Sequence, residues 1–191
     1  GKLVGQFMLD VEPEQIRIET AADRRTAVVD HLVSHRIADR VAFEPLDGLR
    51  VITLVGPESE ATLRAALGTE PRVDGRFGWA EVELAGVSAR VRSNDTRLGL
   101  PGWDLTVAAP DADACTAALV KAGAAALDVE TFEALRVSAG VPRDAVDMGA
   151  DNVPLESHHL YALMDWDKGC YIGQEVIAMM HYRGRPNRHL R

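Results

Sequence analysis

The segment I-R-I-E-T, Ile16 to Thr20, alternates apolar and polar positions and predicts a β-strand, with Leu3 to Val11 as a strand-like predecessor. From Ala22 to Ile37 the period changes. Val28, Leu32 and His35, together with Val29 and Val33, recur at three- and four-residue spacing and predict a helix. Asp23 stands in its first turn, where a carboxylate suits the helix dipole. Val41 to Leu46 and Arg50 to Val55 read as two strands joined through Asp47-Gly48, a hairpin-type turn. Gly56-Pro57 stops the second strand and opens a short helix, Glu58 to Leu67, which Gly68 ends.

Trp79 to Leu84 and Val87 to Arg92 predict another strand pair around Ala85-Gly86, and Gly102 to Pro110 a strand that ends at its proline. Ala112 to Ala122 reads as an alanine-rich helix closed by Gly123. Ala124 to Leu127 reads as a short strand, and Val129 to Ala139 as a helix ending at Gly140. This order of paired strands and interspersed helices favours an α+β fold with antiparallel sheet over a doubly wound parallel one. Beyond Pro142 the text R-D-A-V-D-M-G-A-D-N-V-P-L-E-S is rich in turn formers and acids and predicts an irregular segment, the kind that carries function when a rigid scaffold positions it.

Composition changes this picture little. The chain has 191 residues, 47% hydrophobic and 26% charged, which is a globular profile with enough length for one large domain or two small ones. No window approaches the roughly 18 consecutive apolar residues of a membrane-spanning helix. The first residues carry no secretory pattern, and two cysteines make no disulfide framework, so the expected location is the reducing cytoplasm. The net charge of -8 argues against non-specific nucleic-acid binding. His181 to Arg191 departs from it, with four arginines, two histidines and no carboxylate. Such a patch suits a phosphate, a polyglutamate tail or RNA, and equally suits acidic residues of its own fold.

The candidate chemistry is concentrated in K-G-C-Y-I-G-Q-E, Lys168 to Glu175. Gly169 and Gly173 bracket Cys170 and allow a turn with little cover, and Lys168 supplies positive charge that favours a thiolate. A half-buried structural loop is the competing reading of the same residues. A pairing of Cys170 with His159 or His181 is chemically possible, since imidazole activates thiols. His158 and His159 are neighbours and read as an exposed turn pair. Of Trp79, Trp103 and Trp166, each fit for core or pocket wall, Trp166 stands four residues before Cys170 and is the best placed to line a cavity. Asp144, Asp147 and Asp151 match no calcium-loop spacing, and neither Cys115 nor Cys170 has partners at zinc-like spacing, so no metal site is expected.

The octapeptide Lys168 to Glu175 resembles the K-G-C-Y-x-G-Q-E motif of the folate-binding YgfZ/Iba57/Caf17 proteins, relatives of the glycine-cleavage T-protein, an aminomethyltransferase. The likeness extends through Glu133 to Arg143, Asp151 to Glu156 and Tyr182 to Arg188, so that almost the whole chain is similar to this family. The resemblance implies a tetrahydrofolate-binding fold of related α+β modules around a channel. It implies a first-module remainder over 1–70, a second module over 71–157, and a motif segment over 158–191 that leads toward a C-terminal barrel absent from this partial chain. Cys170 and Lys168 take the motif's reactive positions, and Tyr171, Gln174 and Glu175 its other polar positions. With folate as the implied cofactor, a pterin can stack on Trp166 while its anionic glutamate tail meets Arg183 or Arg185.

The implied function is that of an accessory factor in maturation or repair of iron-sulfur proteins, with an indirect influence on tRNA modification. Its partners would be iron-sulfur target or carrier proteins. Whether it acts as an enzyme is left open. A tetrahydrofolate-dependent aminomethyl transferase is the alternative, but T-proteins carry G-Y-T-G-E-D-G-F-E-I where this chain has T-R-L-G-L-P-G-W-D-L, and Leu100 falls where a pterin-binding carboxylate is expected. RNA binding through Arg183, Arg185, Arg188 and Arg191 is a third reading.

Overall fold

The computed structural model describes residues 3–38, 40–184, 186 and 188–190. The chain divides into two compact units, Pro45–Val141 and the combination of Gly1–Glu44 with Pro142–Arg191. Antiparallel sheet and flanking helices make it α+β, as the element order predicts. The units interleave along the chain instead of following contiguous spans divided near residues 70 and 157.

The unit Pro45–Val141 is built on a four-stranded antiparallel sheet. Its strands are β3 (Leu49–Val55), β4 (Trp79–Leu84), β5 (Val87–Ser93) and β6 (Gly102–Ala108), in the order β3-β6-β5-β4. The alternation of side chains sorts each strand into two faces. Leu54, Val91, Trp103, Leu105 and Val107 form one core with Leu63 of α2 (Ser59–Leu67) and with Cys115 and Leu119 of α3 (Ala112–Lys121). The opposite positions Arg90, Arg92 and Asp104 are also buried. Between β4 and β5, Ala85 and Gly86 both adopt positive φ, 56° and 78°, the backbone that a two-residue hairpin turn with the right twist requires. α4 (Val129–Ser138) starts at Asp128, whose carboxylate accepts the Thr131 backbone N–H at 2.7 Å.

Two expected strands are not strands. Val41 to Leu46 is irregular, and β3 pairs instead with β6, Val55 opposite Gly102 and Leu49 opposite Ala108. Pro45 interrupts the expected strand because it has no N–H to give a ladder. Ala124 to Leu127 is irregular too, since its first residue finishes α3: the Ala124 N–H donates to the Leu119 carbonyl at 3.0 Å. An alanine run also has little preference for a pleated strand.

The other unit holds a two-stranded antiparallel ribbon, β1 (Phe7–Val11) with β2 (Ile16–Thr20), and the helices α1 (Arg25–Ser34), α5 (His158–Tyr161) and α6 (Gln174–Arg183). Leu3 lies ahead of β1, donating its N–H to the Asn152 carbonyl at 3.1 Å and packing with Met148 and Leu160. Arg24, at the start of α1, ties the ribbon end to the irregular segment. Its Nε pairs with Asp144 Oδ2 at 2.9 Å and its Nη2 donates to the Val4 carbonyl at 2.8 Å. Among the described residues no helix is long and apolar enough to cross a membrane.

Candidate functional site

The octapeptide forms an irregular turn that runs directly into α6. Gly173 sits at the helix N-cap with φ of 80°, a left-handed conformation that a residue with a Cβ adopts only under strain. Gln174 closes the turn in both directions. Its backbone N–H donates to the Tyr171 carbonyl at 3.2 Å, and its side-chain oxygen accepts the Tyr171 N–H at 3.1 Å. The sequence Y-I-G-Q is therefore a local folding unit as well as a motif. Upstream, the Lys168 ammonium lies 4.4 Å from the centre of the Tyr171 ring, a cation–π distance.

This arrangement borders an open cavity of about 270 Å³. Trp166, Lys168, Tyr171, Gln174 and Glu175 line it, joined by Asp165, Ala178 and Tyr182. Gln174, Ala178 and Tyr182 recur at four-residue spacing, so one face of α6 forms a wall. Trp166 is braced by His181: the rings stack with centroids 3.7 Å apart and planes 17° from parallel. Tyr161 adds a third ring 5.5 Å from Trp166, and its hydroxyl lies 3.2 Å from His181 Nδ1.

The structure thus brings together five of the expected site residues, Trp166, Lys168, Tyr171, Gln174 and Glu175. Cys170 is exposed and does not line the cavity, and neither does Arg183, which is exposed in the last turn of α6. Arg185 and Arg191 lie outside the described residues. Arg188 approaches an acid of its own unit, with Nε 3.6 Å from Glu156 Oε1. His181 gives a face to Trp166 and Nδ1 to Tyr161, which makes it a brace for the aromatic wall. His158 is exposed and His159 half-buried on α5. Two acids of the irregular segment are engaged within their own unit, Asp144 by Arg24 at the start of α1 and Asp147 by the Arg143 N–H at 2.8 Å. Cys115 is a core thiol whose pKa is raised first by burial and then by the charge of Asp111.

Leu100 is exposed on the loop between β5 and β6. A polar network holds that loop, and sequence reasoning did not find it. Buried Asp104 accepts the Thr53 hydroxyl at 2.8 Å and Arg97 Nη2 at 2.8 Å, and it also accepts Asn94 Nδ2. Asn94 Oδ1 in turn accepts the N–H of Thr96 at 2.9 Å and its hydroxyl at 2.7 Å. The signal in the sequence was an aspartate in an otherwise apolar strand, W-D-L-T-V, where an unpaired carboxylate is too costly to bury. Asp165, Tyr182, Tyr161 and His181 were also missed as cavity and bracing residues. A helix over 174–183 makes the positions of His181 and Tyr182 readable, whereas Tyr161 and Asp165 depend on the fold that brings them to it.

No protein-family model matches the chain. Its sequence is similar to those of iron-sulfur cluster assembly factors. The mitochondrial iron-sulfur cluster assembly factor IBA57 of Homo sapiens is 30% identical over 169 residues, covering 87% of this chain and 42% of that protein. The Mus musculus protein of the same name is 28% identical over 160 residues, 83% of this chain and 39% of its own length. The homolog from Neosartorya fischeri is 23% identical over 171 residues, 87% and 37%. Over most of its length the chain is similar to these Iba57 proteins, in line with the YgfZ/Iba57/Caf17 resemblance of its motif blocks. It spans less than half the length of these curated relatives. The expectation of a cytoplasmic location is overturned by the same comparison, because all four matched relatives are mitochondrial proteins.

Proposed function

We propose that this protein is an accessory factor in the maturation of iron-sulfur proteins, with Cys170 as its reactive thiol and the adjoining cavity as a folate site. The observation that carries the reading is the octapeptide's arrangement. It presents Cys170 to solvent while its neighbours Lys168, Tyr171, Gln174 and Glu175 build a cavity wall. The relatives' designation as assembly factors supports the same direction. An exposed thiol can reach a target protein, and one thiol cannot hold a cluster alone, because clusters take several ligands. Cys170 then serves as a transient ligand or a redox thiol toward a cluster that is cargo.

The residues present fit a pterin. Trp166, Tyr171 and Tyr182 offer aromatic surface, and Gln174 and Glu175 offer acceptors to a ring edge rich in N–H groups. The cavity has room for a bicyclic ring, which leaves an anionic glutamate tail outside, where Arg183 at the end of α6 can attract it. A bound reduced folate supplies carrier chemistry for one-carbon units. The chain's own part is to stack and orient the ring, with His181 holding Trp166 in place. Leu100 in place of the T-protein carboxylate separates this reading from aminomethyl transfer.

A Cys170→Ser variant tests the maturation role. In cells that depend on it, a target [4Fe-4S] enzyme should lose activity while an enzyme without a cluster keeps its own. The variant should match wild-type protein in abundance, since Cys170 buries nothing. Normal target activity in those cells would remove Cys170 from the proposed role.

A further inference from the structure

Histidines 31 and 35 lie on the exposed end of α1 and take no part in the cavity. They are four residues apart, so their side chains leave the same helix face one turn from each other. Their ring centroids are 4.4 Å apart with planes inclined at 52°. His35 is the C-cap of the helix, and its Nδ1 lies 2.8 Å from the His31 carbonyl oxygen and 3.0 Å from Ser34 Oγ. A carbonyl oxygen only accepts, so the bond to it places the hydrogen on Nδ1 and leaves Nε2 with a free lone pair. A backbone carbonyl holding the second ring nitrogen is the arrangement that orients metal-ligating histidines. The ring nitrogens of His31 have no hydrogen-bond partner among the described residues.

We propose that His31 and His35 form an open two-histidine chelate for a divalent transition-metal ion. Imidazole nitrogens suit nickel, copper, zinc and ferrous ions better than calcium or magnesium. The site stands at the C-terminus of α1, where the helix dipole favours positive charge. Among the described residues no group of three or more His, Cys, Asp or Glu side chains is placed to hold a metal, so water completes the coordination. The chelate is therefore exchangeable, unlike a closed structural zinc site. Asp30 and Arg36 are the charged sequence neighbours. Arg36 directs Nη1 to the Val41 carbonyl at 2.7 Å.

The test is calorimetric titration of the tag-free chain with Ni²⁺ and Zn²⁺, alongside thermal unfolding with and without Ni²⁺. Wild-type protein should bind one ion and gain in unfolding midpoint. His31→Ala and His35→Gln should each lose both effects at metal concentrations that saturate wild type, with helical circular dichroism retained. A His158→Ala, His159→Ala double variant should bind as wild type does. Unchanged binding in the two α1 variants, no binding by wild type, or loss confined to the His158/His159 variant would each overturn the site. None of these outcomes bears on folate or Cys170, so the two proposals fail separately.

Discussion

Cys115 and Cys170 carry the same thiol into opposite surroundings. Cys115 is wholly buried against Leu84 and Leu119, and burial followed by the Asp111 charge disfavours its thiolate. Cys170 is open to solvent between two glycines. Reagents that attack thiolates should therefore modify one thiol in the native chain, Cys170, and two after denaturation. Mass spectrometry of native labelled protein checks this, and modification of Cys115 at a comparable rate would contradict the core placement. The sequence made Cys170 legible as a little-covered thiol between turn formers, while for Cys115 it offered only an alanine-rich helix and no depth. The roles of Asp104 and His181 were not legible, because each depends on partners brought from other positions along the chain. Asp104 needs Thr53, Asn94 and Arg97, and His181 needs Trp166 and Tyr161.

Elements with strong local signals came through the sequence well. β2 was read with both ends correct, and the helix ending at Gly68 shows the expected left-handed cap, with φ of 70°. α6 was missed because its text, Q-E-V-I-A-M-M-H-Y-R, buries only Ile177, and a helix with so little buried surface shows no apolar stripe. α4 offers a test of how much one cap contributes. The pKa of Asp128 is lowered, first by the Thr131 backbone N–H and then by the Thr131 side chain. A folded-state pKa below the unfolded one means the cap stabilises the fold above the unfolded aspartate range. That contribution fades as pH falls through the folded value. Asp128→Ala should thus unfold at a lower temperature than wild type near neutral pH, and the gap should close in strong acid. A gap independent of pH would show that the carboxylate charge is not what caps α4.

On the scale of the whole molecule, the antiparallel α+β class was readable from element order. The interleaved units were not, because pairing of β3 with β6 joins residues that local pattern assigns to separate spans. The likeness to the Iba57 proteins rests on the motif blocks and on relatives that extend well beyond this chain. The location inferred from two cysteines failed against four mitochondrial relatives, since a low cysteine count is compatible with several reducing compartments. The motif's cavity is where sequence and structure meet, and tetrahydrofolate titrated calorimetrically into wild-type and Trp166→Ala protein tests it most directly. Wild-type protein should bind, and more tightly when the folate carries a polyglutamate tail, while Trp166→Ala should lose the interaction with its fold intact. Absence of heat up to millimolar ligand, or equal binding by the Trp166→Ala variant, would contradict a folate site built from the motif.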